Sequence, residues 1–231
     1  MAGPSSLPVE SERERWAGLA LFPILATLLY YLLPGHLQQR PAAQFIPQIL
    51  AYAGLAAWAI RNTDVVARLG LAPSRFPEGM RWGLATGLVL GPINVSVILW
   101  LVPALGGDIQ FLRETPHARM PTAVMLPWLI VAIAALVEVN FRGFLLGRLT
   151  ALFRSAFPGR VGPVLAVAGS ALAFSFDPFM VATFTHLHWI AVWDGLVWGV
   201  IRLRLGNLWA TIAAHAVEVT VMYATLKVVL S

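Results

Sequence analysis

Apolar residues dominate the chain from residue 16 onward, in runs divided by short stretches that carry arginine, proline and glycine. The runs fall at 16–34, 44–60, 82–105, 122–141, 163–184, 189–201 and 207–230, of which the second and sixth are short. Crossing the hydrocarbon core of a bilayer takes about 20 such residues in a helix. Lipid offers no partner to backbone N–H and C=O groups, so runs of this kind are read as helices. The pattern predicts an all-α, polytopic transmembrane helical bundle of about seven spans, within a range of about six to eight. Residues 1–15 read as a polar arm and 16–231 as a single membrane-embedded domain. Segment 143–156, "GFLLGRLTALFRSA", sets apolar residues at 144, 145, 149, 152 and 153 between arginines. That spacing fits an amphipathic helix on the cytoplasmic surface, or equally a cytoplasmic extension of the fourth span.

Composition agrees with the pattern. The chain is 58% hydrophobic and 12% charged, with a mean hydropathy of +0.75, whereas soluble domains carry roughly twice that charge fraction. It has no cysteine, which excludes disulfides, thiol catalysis and cysteine-ligated metals. The net charge is +5, and every basic residue except Lys227 is arginine. No basic stripe with interleaved aromatics exists, so nucleic acid is not an expected partner. The arginines instead sit between apolar runs: Arg61, Arg68, Arg75 and Arg81 in 61–81, Arg142, Arg148, Arg154 and Arg160 in 142–160, and Arg202 and Arg204 in the turn at 202–206. Placing these basic loops in the cytoplasm puts the N-terminus inside and, with seven spans, the C-terminus outside. The arm "MAGPSSLPVESERERW" mixes acids and bases and lacks a cleavage site, so it is not read as a removable signal. Arginine-rich, lysine-poor usage fits a GC-rich bacterial genome, and with it a bacterial inner (cell) membrane.

Chemistry is concentrated in the C-terminal half. Glu138, Asp177, Asp194 and Glu218 fall within or beside its apolar runs, as do His186, His188 and His215. The first three runs hold little beyond Asn94 and scattered hydroxyl and amide groups. An ionisable side chain in hydrocarbon costs several kcal/mol unless paired or hydrated, at least about 2.5 on insertion scales, so this concentration points to one shared polar cavity. Glu138 and Arg142 lie one turn apart on one helix face. They read either as an intrahelical ion pair or as a glutamate kept ionised as a general base for water. His215 lies about 12 Å into the last run, a depth that Glu138 can match, and Glu218 shares its face. That pair reads either as a helix-stitching contact or as acid–base or metal-binding chemistry. In "FTHLHW", His186 and His188 would point to opposite helix faces and not ligate one ion together. Pro178 breaks its run and lets 179–188 bend back into the membrane, with Asp177 at mid-depth.

Two stretches carry a family resemblance. "VEVNFRGFLLGRL", 137–149, resembles the first motif of the CPBP family, the CAAX prenyl endopeptidases and bacteriocin-processing proteins, in which two glutamates precede Phe-Arg-Gly. "GLVWGVIRLRLGNLWATIAAHA", 195–216, resembles the family's glycine-spaced span, the following turn and its final histidine. The match covers roughly 122–219. It implies a helical membrane fold that hydrolyses a peptide bond of a membrane-associated substrate, with a glutamate and histidines activating water and a further polar group stabilising the oxyanion. Glu138 corresponds to the second motif glutamate, Arg142 to the arginine and His215 to the last-helix histidine. The first glutamate is Val137 here, and the polar residue four after the final histidine is Val219. Aligning Phe184 with the motif phenylalanine gives His188 as the middle histidine; aligning "GSALAFSFDP" puts Pro178 there instead.

The site implied is therefore Glu138, Arg142, His188 and His215, with Glu218 or Asn140 as further polar contacts. The resemblance calls for no metal or other cofactor, although zinc on His188, His215 and a carboxylate is chemically allowed. The rival reading is an inactive relative that binds or escorts membrane substrates. A small transporter is a third, though no inverted repeat or second polar cluster accompanies it. Sequence leaves substrate identity and oligomeric state open.

Overall fold

The computed structural model describes residues 15–230, apart from the side chains at 116–117 and 129–131, so all but the last residue of the polar arm lies outside the described residues. Every apolar run is helical. After a 3-10 turn at Ala17–Ala20 come α1 (Leu21–Tyr31), α2 (Pro41–Arg61), α3 (Phe76–Ser96), α4 (Thr122–Ala156), α5 (Val161–Ser175), α6 (Pro178–Phe184), α7 (Ile190–Leu205) and α8 (Leu208–Leu230). Four helices are long and apolar enough to cross a membrane: Pro41–Arg61, Val65–Ala104, Thr122–Ala156 and Leu208–Leu230. The pair Val161–Ser175 and Pro178–Leu187 makes a fifth if its 53° bend is one broken span. Against about seven expected spans, α1 and α7 fall short on length, α7 having 16 residues. The bundle is all-α and polytopic, and its outward side chains include Leu25, Leu28, Leu29, Leu88, Val89 and Trp100, as a lipid-facing belt requires.

Segment 143–156 is the end of one continuous helix, not a separate surface helix. Leu146, Arg148, Leu149 and Thr150 are buried there, which fits the extension of the fourth span. Upstream, the same helix is wound as π-helix over Trp128–Leu136 and Val139–Leu145, and Glu138 sits beside the junction. Such wide turns occur often at functional sites.

Glycines draw the functional helices together. Gly79, Gly83, Gly87 and Gly91 recur every fourth residue along the face of α3 that meets α8. A Cβ at Gly79 would lie 2.5 Å from the Trp209 Cβ, and one at Gly91 would lie 2.9 Å from the Val221 Cβ. One at Gly83 would press into the Ala213 Cβ. Only hydrogen permits this approach, the small-residue packing by which membrane helices associate. Gly195 and Gly199 similarly seat α7 on Ala171 and Val167 of α5. Gly206, at φ +60°, ends α7 in the left-handed region, and the Asn207 side chain accepts from the Trp209 N–H at 3.1 Å to start α8. That tight reversal brings His215 and Glu218 back beside Asp194.

Candidate active site

Glu138 and Arg142 of α4 and His215 of α8 meet in the interior. Glu138 and Arg142 are wholly inaccessible to solvent, and His215 is nearly so. The Glu138 Oε1 lies 3.1 Å from the Arg142 Nη1 and 3.0 Å from the His215 Nδ1. The intrahelical ion pair expected of Glu138 is present in the geometry, and the same carboxylate also meets the last-helix histidine. The guanidinium lies over the Phe174 ring at 4.4 Å and the Trp198 ring at 4.9 Å, so aromatic faces serve the cation where hydrogen-bond acceptors do not. Trp198 also stacks on the His215 ring at 4.4 Å, and Phe174 meets it edge-on. With Glu138 ionised beside Arg142, the His215 Nδ1–H donates to it and the second ring nitrogen keeps its lone pair.

A cavity of about 530 Å³ opens beside this cluster. His215, Val137, Phe141, Phe174, Trp198 and Val219 wall it, whereas Glu138 and Arg142 stand behind that wall. The histidine is therefore the member of the Glu138–His215 pair that faces the space. Two positions where the family motif is polar, 137 and 219, give the cavity apolar surface.

His188 also lines the cavity, half-buried, but its ring is engaged elsewhere. Its Nδ1 meets the Thr185 carbonyl, its ring packs on Phe176, and its own carbonyl accepts from the Ser175 hydroxyl at 2.8 Å. The structure joins Glu138, Arg142 and His215 to one another, and joins His188 to them only through the shared space. Phe174 contacts Arg142 and His215, whereas Phe184 packs in a separate core with Ile98 and Leu112. His186 stands exposed against Phe111. Asp177 caps α6, accepting from the Phe179 N–H at 3.0 Å and the Met180 N–H at 3.4 Å, and it also accepts from the Gln48 amide at 2.9 Å. Pro178 follows at the first helical position, so the broken helix expected there is present. Among the described residues no three His, Asp or Glu side chains group as a metal site, and His188, His215 and a carboxylate do not converge for zinc.

Asn94 is the residue that sequence reasoning passed over. It is fully buried on α3 and joins Asp194 and Glu218 across the cavity wall. Asn140 is buried too, but away from the main cavity.

A family model for type II CAAX prenyl endopeptidases, Rce1-like, matches residues 119–221. That interval contains Glu138, Arg142, His188 and His215 and most of the helices that hold them, α8 running on to Leu230. The match supports membership of the CPBP family. No curated protein and no solved structure matches the chain. The chain is an integral membrane protein, and the family match supports CAAX-type intramembrane protease activity. At positions 137 and 219, where the family motif is polar, this chain carries valine.

Proposed function

We propose that the protein is an intramembrane endopeptidase of glutamic type, hydrolysing a peptide bond of a membrane-associated peptide or protein with a water activated by Glu138 and His215. The observation that carries this reading is the 3.0 Å hydrogen bond between the Glu138 Oε1 and the His215 Nδ1, behind a cavity into which the histidine faces. In the reaction, the free ring nitrogen of His215 takes a proton from water as the water oxygen bonds to the scissile carbonyl carbon. Glu138 holds the imidazole in the tautomer that can accept that proton and offsets the charge it gains. Arg142 keeps Glu138 anionic in an apolar surrounding. His188 lines the path along which substrate enters. The largely apolar cavity fits an extended peptide held at membrane depth. Arginine-rich loops favour a cell-membrane location with the N-terminus in the cytoplasm.

A second reading is favoured by Val137 and Val219: a relative that binds or escorts membrane substrates without cutting them. The test is reconstitution in liposomes with a library of membrane-anchored peptides, products being read by mass spectrometry for wild type, Glu138→Gln and His215→Ala. Cleavage by wild type that both substitutions abolish supports the protease. Cleavage that survives both removes the assignment of these residues. Retention of peptides without any cleavage favours the binding relative.

A further inference from the structure

The cavity wall holds a second cluster of acids that the water-activating pair does not use. Asp194 of α7 and Glu218 of α8 are both buried and both converge on one amide. The Asn94 Nδ2 donates to Asp194 Oδ1 and Oδ2 at 3.1 Å each and to Glu218 Oε1 at 2.6 Å. Asn94 cannot be turned end for end, because its Oδ1 accepts from the Trp193 Nε1–H at 2.9 Å. An amide nitrogen has two hydrogens, and here both are committed. The second oxygen of Glu218, Oε2, is buried and has no hydrogen-bond partner. Asp194 and Glu218 line the same cavity as His215.

The charges around them do not balance if all the acids are ionised. Arg142 is the cation that acts on Asp194 and Glu218, and it is already paired with Glu138. Three carboxyl groups thus share one guanidinium, with His215 as the remaining titratable neighbour. Two carboxylates that converge on one amide nitrogen repel strongly: even at about 5 Å the cost is roughly 3 kcal/mol at an effective dielectric of about 20, before the cost of taking each out of water. One proton on the unpartnered Glu218 oxygen removes that repulsion and makes that oxygen an O–H donor.

We propose that the Asp194–Glu218 pair holds one proton and is the oxyanion donor of the peptide hydrolysis, with Asn94 as its positioning residue. The proposal rests on the protease reading above. Glu218 follows His215 by three residues, so the two side chains are neighbours on one helix face, about 5–6 Å apart at Cβ. A carbonyl carbon attacked by a water on His215 therefore has its oxygen within reach of Glu218. As the water oxygen bonds to that carbon, His215 takes one water proton and the C=O π pair moves onto the carbonyl oxygen. The Glu218 carboxyl donates its hydrogen bond to that oxygen. Collapse restores the C=O, breaks the C–N bond, and sends the nitrogen off with the proton from His215. The proton of the pair is not consumed, so no further reactant is required. Val219, the next residue, offers no polar atom for this role.

The test combines kinetics and infrared spectroscopy on the full-length protein in liposomes. Glu218→Leu removes the donor, and its kcat on the membrane-anchored peptide falls about 100- to 1000-fold with KM changed less than about 3-fold. Glu218→Gln, whose amide still donates, stays within about 10-fold of wild type. Without substrate at neutral pH, the spectrum of wild type shows the C=O band of a protonated carboxylic acid that Glu218→Gln lacks. The infrared arm needs only the isosteric glutamine variant, so it stands even if the leucine variant fails to fold. Near-wild-type cleavage by Glu218→Leu, equal loss in the leucine and glutamine variants, or carboxylate bands alone would each overturn the proposal. Cleavage abolished by His215→Ala but kept by Glu218→Leu sinks the donor role and leaves the protease reading standing. A wild type that cleaves no peptide sinks both.

Discussion

Glu138 and His215 stand 77 residues apart in the chain and meet at 3.0 Å through one carboxylate oxygen. That same oxygen faces Arg142 at 3.1 Å, so one atom ties the fourth span to the last and to its own following turn. The arrangement makes the anion both a structural counter-charge and the orienting group for a histidine that faces a cavity. The two roles separate by mutation.

Glu138→Gln keeps the shape and a carbonyl oxygen for the His215 Nδ1, but it strands Arg142 without its anion. Leaving one partner of a buried ion pair costs about 3–5 kcal/mol, so the melting temperature in detergent falls. Replacing the cation as well, in Glu138→Gln/Arg142→Met, removes the stranded charge and recovers most of that loss. Peptide cleavage stays at least about 100-fold below wild type in both variants, because neither restores an anion behind His215. Recovery of activity along with stability in the double variant would show that the carboxylate serves the fold alone.

The glycine ladder makes a prediction of opposite sign at two positions. Gly83→Ala puts a Cβ against Ala213 and the Ala210 carbonyl, both on a rigid helix, so α3 and α8 must part. Overpacking of this kind costs about 1–3 kcal/mol, and the separation loosens Asn94 from Glu218. Gly147, on α4, has nothing within 4 Å of its would-be Cβ. Gly147→Ala there stabilises by up to about 1 kcal/mol through helix propensity. Thermal unfolding of the two variants in one detergent checks both signs.

The helices were legible in sequence because lipid penalises an unpaired backbone, which makes long apolar runs helical almost regardless of detail. Glu138 and His215 were legible as members of one polar cavity because an ionisable side chain inside an apolar run needs a partner or water. The full cluster was not. Its convergence depends on how closely α3 approaches α8, and that distance is set by absent side chains in "GMRWGLATGLVLG", 79–91. A glycine at every fourth position, followed after three residues by Asn94, was the available signal. Apolar content does not mark where α1 and α7 stop, so the number of apolar runs exceeds the number of helices long enough by themselves to cross a membrane. Nor does sequence reveal that Glu138 lies behind the cavity wall, since the π-helical winding around it changes which side chains face inward.

Asp177 ties α6 to its neighbours through three acceptor contacts, two to its own helix start and one to Gln48 of α2. Asp177→Ala removes the cap and the link between helices at once. The loss is about 0.5–2 kcal/mol, typical of an N-cap, and it is local. Hydrogen exchange should therefore quicken across 178–184 while α8 stays protected. Asp177→Asn, which keeps an acceptor oxygen, should exchange much as wild type does. Equal exchange in the alanine variant would mean that packing alone holds α6.

Val137 decides how much of the family's chemistry this chain retains. It is half-buried and lines the cavity, next to the glutamate that stands behind the wall. A carboxylate at that position would face the space directly, open to water from the cavity rather than sealed in apolar packing, so it can ionise. If His215 works as a base with only Glu138 behind it, Val137→Glu adds a second proton acceptor at the reacting centre. A positioned general base contributes about 100- to 10,000-fold, so even partial use of the new group raises kcat at least about 10-fold. The gain should vanish in Val137→Gln, which matches the shape without the charge. A single-turnover assay on the same membrane-anchored peptide reads both variants against wild type. A Val137→Glu protein that folds, binds the peptide and cleaves no faster than wild type would mean that the lost glutamate is not what limits cleavage.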